Sequence, residues 1–148
     1  MKFAEEIITA ELLEEAKPLL EKHWAEIAHY KDIILNPDYS FYFKAQSQGM
    51  IRSYSARDDA GKMIGYAVYF IKRHIHYSQT LWAQQDIIFF DPEKRGKGLF
   101  FLAWCDEELK KIGVDIVSHH VKLAHDFSKA LERIGYEKQD IILTRRLK

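Results

Sequence analysis

A single cysteine, Cys105, excludes an intramolecular disulfide and any zinc site built from several thiolates. Three prolines and seven glycines punctuate the 148 residues without clustering, so no linker, hinge or low-complexity tract divides the chain. Lys plus Arg and Asp plus Glu number 22 each, and the formal net charge is zero. No global basic field draws in nucleic acid, and none is expected as a partner. No apolar run approaches the ~20 residues that cross a bilayer. The start, Met1-Lys2-Phe3-Ala4-Glu5-Glu6, lacks the order of a signal peptide. These absences imply one soluble domain in a reducing, cytoplasmic compartment, without a membrane partner.

What is present alternates between helical and extended periodicity. Residues 2–8 read as a short strand. From Thr9, Leu13, Ala16, Leu20, Trp24 and Ile27 recur at spacings of three and four and predict an amphipathic helix, with Pro18 kinking or breaking it. Asn36-Pro37-Asp38 predicts a turn and a helix start, and residues 38–48 a second helix. Residues 51–57 and 62–72, joined by Asp58-Asp59-Ala60-Gly61, predict a hairpin whose second strand is apolar on both faces and therefore central. Residues 80–90 predict another strand, 98–112 a helix ended by Gly113, 114–121 a strand, and 125–134 a helix ended by Gly135. The segment 136–147 ends in a further strand, IILTRRL. The fold class expected is α/β, a mixed sheet flanked by helices in one domain spanning residues 1–148.

Chemistry concentrates where the apolar strand Ile87-Ile88-Phe89-Phe90 runs through Asp91-Pro92-Glu93-Lys94 into Arg95-Gly96-Lys97-Gly98-Leu99 and a helix. The first amides of a helix lack intrahelical partners and carry the positive end of its dipole, which suits a phosphate or diphosphate. Gly96 and Gly98 allow close approach, while Arg95 and Lys97 add charge. The spacing fits neither a Walker-type loop nor a dinucleotide fingerprint. A basic turn with an ordinary helix cap would look the same.

Phe90-Asp91-Pro92-Glu93-Lys94-Arg95-Gly96-Lys97-Gly98-Leu99 resembles the coenzyme loop of the GNAT acetyltransferase superfamily, Arg/Gln-x-x-Gly-x-Gly/Ala between the fourth strand and the third helix. Two helices before the hairpin and the ending Ala130-Leu131-Glu132-Arg133-Ile134-Gly135-Tyr136 extend the resemblance along the chain. The N-terminal region with His23-Trp24 is most like small GNAT proteins of tailed phages. The resemblance implies a GNAT-like sheet of six to seven strands with about four helices. It also implies acetyl-CoA as acetyl donor and an amine acceptor, with a homodimer allowed. Ile88, Phe89 and Phe90 would hold the pantetheine arm and polarise the carbonyl. Arg95, Gly96, Lys97, Gly98, Leu99 and Phe100 would hold the diphosphate.

Two positions depart from the pattern. Phe100 replaces the loop's last small residue and either crowds the coenzyme or turns into the core. Leu131 replaces a tyrosine that protonates the departing thiolate in many members. Asp86, four residues before Phe90, is a base acting through a bridging water or a polar strand residue facing solvent. His119 and His120 follow the fifth strand on opposite faces, so at most one lines a cleft. Cys105 reads as an inert core thiol, and no histidine set has metal-ligand spacing. Two functions remain: acetyl transfer to a primary amine by direct attack on the thioester, or a catalytically silent binding or assembly module.

Overall fold

The computed structural model describes residues 1–148, the side chain of Arg95 excepted. Strand β1 (Lys2–Glu6) gives way to helix α1 (Ala10–Ile27), where Thr9 caps the helix by accepting from Leu12 N at 3.2 Å. The expected break at Pro18 does not occur. Pro18 lies on the exposed side of α1, where the carbonyl it leaves without a partner can be met by water. The inward stripe buries Leu19 and His23 and half-buries Leu12, and it includes Leu13, Ala16 and Leu20 of the predicted one, all packed on the core. Asp38 caps helix α2 (Tyr39–Ser47) by accepting from Phe41 N at 3.1 Å.

Strands β2 (Ile51–Arg57) and β3 (Met63–Arg73) form the predicted hairpin, and β4 (Leu81–Phe90) returns antiparallel beside β3. Asp58 closes the hairpin turn by accepting from Ala60 N and Lys62 N, both at 3.0 Å. A 3-10 turn, Pro92–Lys97, runs directly into helix α3 (Gly98–Lys111). Strand β5 (Ile116–Ser118), a 3-10 turn at Leu123–His125 and helix α4 (Ser128–Glu132) complete the regular elements.

The sheet has five strands in the order β1-β2-β3-β4-β5, antiparallel except for the parallel β4–β5 pair. The expected six to seven strands are therefore corrected to five, while four helices are present as expected. Residues 137–148 add no strand. Ile141, Ile142 and Leu143 are left exposed, since β5 offers only three paired residues. Arg146 draws the tail toward the α1–α2 connection, bonding Asp32 at 2.8 Å and lying 5.5 Å over the Tyr30 ring. Strand β5 is shorter than the predicted 114–121. Asp115 turns its carboxylate to Leu81 N at 2.7 Å, and His120 N leaves the ladder for a side-chain oxygen of Gln85. Helix α4 starts later than predicted because Asp126 recaps the chain at Ser128 N, 2.8 Å away.

Helix α3 covers one face of the sheet. Phe101, Cys105 and Leu109 pack there against Tyr54, Ala56, Ala67, Tyr69 and Ala83. Helices α1 and α2 cover the other, where Leu19 and Ala45 meet Ile51, Met63, Tyr66, Val68 and Phe89. The register of β3 against β4 skips Asp86, since Val68 pairs with Ile87 and Tyr69 with Gln85. Asp86 is thus the extra residue of a β-bulge. Before it, Leu81 and Ala83 face α3; after it, Ile88 and Phe90 do, and Ile87 and Phe89 face α1. The bulge exchanges the two faces of the strand.

Candidate functional site

The bulge also marks where the sheet opens. Strand β5 pairs with β4 only through Trp82–Ile116, Ala83–Val117 and Gln84–Ser118. At the next position the Gln85 side chain takes the place of a main-chain partner. Its Oε1 accepts from His120 N at 3.1 Å and lies 3.2 Å from His119 Nδ1. Beyond Gln84 the outer edge of β4 has no strand beside it. In an antiparallel ladder the bonded pairs alternate. Asp91 N donates to Ile64 O at 2.7 Å just past the last pair. Phe89 therefore turns its main-chain groups toward β3, and Ile88 and Phe90 turn theirs to the open edge. The site expected at Ile88, Phe89 and Phe90 lies on a stretch of β4 with no strand on its outer side, a one-sided edge able to hydrogen-bond an extended, amide-bearing chain.

Asp86 projects toward the helical layer of α1 and α2, where it accepts a short hydrogen bond from the Tyr42 hydroxyl of α2. Burial raises its carboxyl above the ordinary carboxylate value, and the Tyr42 bond opposes that rise. Burial, then the carboxylate, push the Tyr42 phenol up. His119 lies on the opposite face, edge-on to Tyr69 at 5.7 Å and Tyr136 at 5.0 Å. Burial, and then His120, push its imidazole down to about 4. His119 Nε2 and the Tyr69 hydroxyl are buried without hydrogen-bond partners among the described residues. His120 is exposed, with Nε2 3.4 Å from Gln84 Nε2. The three candidate catalytic residues are not brought together: Asp86 works on one face, His119 on the other, and His120 at the surface.

The basic segment differs from expectation. Residues 92–97 are wound as a 3-10 turn that continues into α3, not an open loop ending at a fresh helix start. Asp91 caps this winding, its Oδ1 accepting from Glu93 N at 3.2 Å and its main-chain oxygen from Lys94 N at 2.8 Å. Pro92 then supplies the fixed φ favoured at a first helical position. The expected orphan amides at Gly98–Phe100 therefore lie inside a helical stretch that begins six residues earlier. Gly96 faces open space, and Gly98 packs against the Phe90 ring, where a Cβ would meet Phe90 Cγ at 3.5 Å. Lys97 is exposed, and Leu99 is half-buried. Phe100 is 69% exposed and does not enter the core. The Arg95 side chain, expected at the diphosphate, lies outside the described residues.

Beside this turn an open groove of ≈ 500 Å³ is lined by Lys22, Ala25, Glu26, Asp91, Pro92 and Glu93. Its charge is mainly acidic, and Lys22 Nζ stands 3.4 Å from Asp91 Oδ2, so it does not suit a diphosphate. Glu26 also takes His125 Nδ1 at 2.9 Å. Three polar pairs escaped sequence reasoning. They are Tyr42 with Asp86, the buried His23 Nδ1 with the Tyr66 hydroxyl at 2.8 Å, and the Tyr136 hydroxyl with Asp106 at 2.7 Å. Each joins residues at least 30 positions apart, which no local pattern reports. Among the described residues no cluster of His, Cys, Asp or Glu could hold a metal, and no helix is long and apolar enough to cross a membrane.

No family model matches the chain, and no curated protein matches its sequence. Solved structures do match its fold. The ribosomal-protein-alanine N-acetyltransferase from Brucella melitensis biovar Abortus 2308 superposes with a TM-score of 0.72 at 15% identity, over 99% of this chain and 100% of that one. An aminoglycoside acetyltransferase from an uncultured soil metagenomic sample, in complex with sisomicin, gives 0.74 at 15% identity over 99% and 96%. A predicted acetyltransferase with acetyl-CoA from Clostridium acetobutylicum gives 0.68 at 13% identity over 99% and 96%. The chain has a GNAT-like fold, with a mixed five-stranded sheet and four helices.

Proposed function

We propose that the protein is an acetyl-CoA-dependent N-acetyltransferase acting on a primary amine. The observation that carries this reading is the parting of β4 from β5 after three residue pairs, directly beside the bulge. A strand edge with free amides and carbonyls matches the amide-bearing pantetheine arm. The acetyl-CoA and amine ligands of structures sharing the fold agree with it. Likeness to small phage proteins rests on the N-terminal region alone.

In this reading acetyl-CoA supplies the activated acetyl group. The main-chain groups of Ile88 and Phe90 hold the arm, and an amide of this edge polarises the thioester carbonyl. Phe89 supports the edge from within the core. Arg95, Gly96, Lys97, Gly98, Leu99 and Phe100 form the diphosphate end. There the 3-10 winding must loosen to expose its amides, a modest cost given the poor hydrogen-bond geometry of such turns. Asp86 removes the amine proton, directly or through water. His119 and His120 are not needed on that face.

A catalytically silent module is the alternative. It is favoured by the acidic cap of Asp91 at the diphosphate end and by Leu131, which is buried and cannot move a proton. Thermal unfolding with acetyl-CoA separates the possibilities. At a hundred times the dissociation constant the ligand adds about 2.7 kcal/mol of stability, and Lys97→Ala should reduce the shift. Thiol release with primary amines then distinguishes enzyme from silent module. No shift at millimolar acetyl-CoA would overturn the proposal.

A further inference from the structure

The helical layer over Asp86 stops short of one end of the sheet. Leu81 and Ala83 face α3, so Trp82 and Gln84 share with Asp86 the face that α1 and α2 cover. Lys72 stands opposite Trp82, and Phe70 opposite Gln84, which puts both on that face as well. The cover ends at Phe70, where Phe41 of α2 overhangs at a ring distance of 5.9 Å. Past it Lys72 is exposed, Trp82 and Gln84 are half-buried, and none of the three belongs to a described core cluster. The strip is fixed by its own contacts. The Trp82 indole N–H donates to Thr80 Oγ1 at 2.9 Å, and the His74 ring lies 4.4 Å from the Trp82 ring. Lys72 Nζ donates to Gln84 Oε1 at 3.0 Å, and Gln84 Nε2 lies 3.4 Å from His120 Nε2. Lys22, Arg52, Arg57 and Arg146 each meet a carboxylate. Lys72 is held by a neutral amide instead, and among the described residues no carboxylate pairs with it.

We infer that this strip selects the acceptor: a primary amine whose flat apolar body carries an anionic group, carboxylate or phosphate, at its far end, with Lys72 as the anion's partner. The assignment rests on the acyl transfer proposed above. The face has an acid at one end and an uncompensated cation toward the other. Lys72 Nζ sits at Gln84, two residues from Asp86, so the rise of a strand puts the two charges about 7 Å apart. Phe70 and Phe41 line the span between them, and Trp82 with His74 walls the cationic end. The bond to Gln84 leaves two of the three Lys72 donors for the anion. An α-amino acid, with its amine and carboxylate side by side, cannot reach both ends.

The test compares the unaltered full chain with Lys72→Glu, a surface change that leaves the core intact, on acceptors that share one ring and differ at its far end. They are benzylamine, 4-(aminomethyl)benzoate, the matching phosphonate, and 1,4-bis(aminomethyl)benzene. The unaltered chain should show kcat/KM about fivefold higher for the carboxylate or the phosphonate than for benzylamine, the scale of an exposed ion pair. The larger of the two values tells carboxylate from phosphate. Lys72→Glu should invert the order, placing the diamine above both anionic acceptors. A second reading needs no turnover. The Trp82 indole N–H resonance should move when 4-(aminomethyl)benzoate is added to the unaltered chain, and stay in place in Lys72→Glu. Equal use of benzylamine and the anionic acceptors, an order that survives Lys72→Glu, or an unmoved Trp82 resonance overturns the assignment while leaving acyl transfer standing. An unaltered chain that neither binds acetyl-CoA nor releases thiol with any acceptor overturns both.

Discussion

His23 makes acid stability the most quantitative test of the packing beneath α1. Its ring stacks on Phe89 at 4.9 Å, bonds the Tyr66 hydroxyl at 2.8 Å, and is buried. Burial is the main cause that pushes its imidazole from 6.5 down to about 4. Glu26 pulls it back up, and His125 adds to the fall. A histidine with a depressed folded value is protonated first in the unfolded chain. Its contribution is therefore present above about pH 6.5 and is lost as the pH falls toward about 4. Integrating that linkage from pH ~7 to pH ~5 gives a loss of about 2 kcal/mol, roughly a thirtyfold rise in the unfolded fraction. Asp106 is raised to about 6 by burial, against the opposing Tyr136 bond, and acts in the opposite sense, so the raw acid profile is a sum. The decisive quantity is a difference. His23→Gln keeps a polar group for Tyr66 and removes the titration. Urea denaturation at several pH values should show the wild type losing about 2 kcal/mol more than His23→Gln across this window, at constant m. Parallel profiles for the two proteins would refute the reasoning.

Other substitutions probe the frame around the split. Gly65→Ala would place a Cβ 2.6 Å from Phe90 Cδ2 and 3.1 Å from the Phe89 carbonyl oxygen. It should cost about 1–3 kcal/mol in urea denaturation and weaken the acetyl-CoA thermal shift by displacing Phe90. Leu109→Ala, at a fully buried site of the α3 core, should cost about 2–5 kcal/mol by calorimetry. Arg57 holds β1 and α1 to the hairpin through Glu6 at 3.0 Å and Glu15 at 2.5 Å. Arg57→Met should cost about 1–3 kcal/mol by leaving partly buried carboxylates unpaired, measured as a fall in the urea midpoint.

Local chemistry made much of this architecture legible. Thr9 and Asp38 announce helix starts, Asp58 through Gly61 announces the hairpin, and Gly113 and Gly135, with φ of 86° and 98°, end helical segments as their lack of a Cβ permits. The signal at Asp91-Pro92-Glu93 is equally local. A capping acid followed by proline starts helical winding there, which turns the expected loop into a 3-10 turn. Asp86 was named from its distance to Phe90, but neither the bulge nor Tyr42 can be read from β4 alone. A bulge exists only relative to a partner strand, and Tyr42 lies 44 positions away. The tail misled for a related reason. Ile141-Ile142-Leu143 has strand propensity, but β5 offers only three residues and Arg146 is held by Asp32 elsewhere.

Because Asp86 is the supernumerary residue of β4, odd and even positions carry opposite meanings on either side of it. Deleting Asp86 would join Gln85 to Ile87, restore plain alternation and leave every other β4 side chain on its own face. Deleting Ile88 instead would place Phe89 where Ile88 meets α3 and leave His23 without its stacking partner. The turn at 58–61, by contrast, can lengthen without inverting anything. Tolerance to changes in length should thus vary sharply along this chain, and within β4 the half-exposed Asp86 is the residue whose removal inverts nothing.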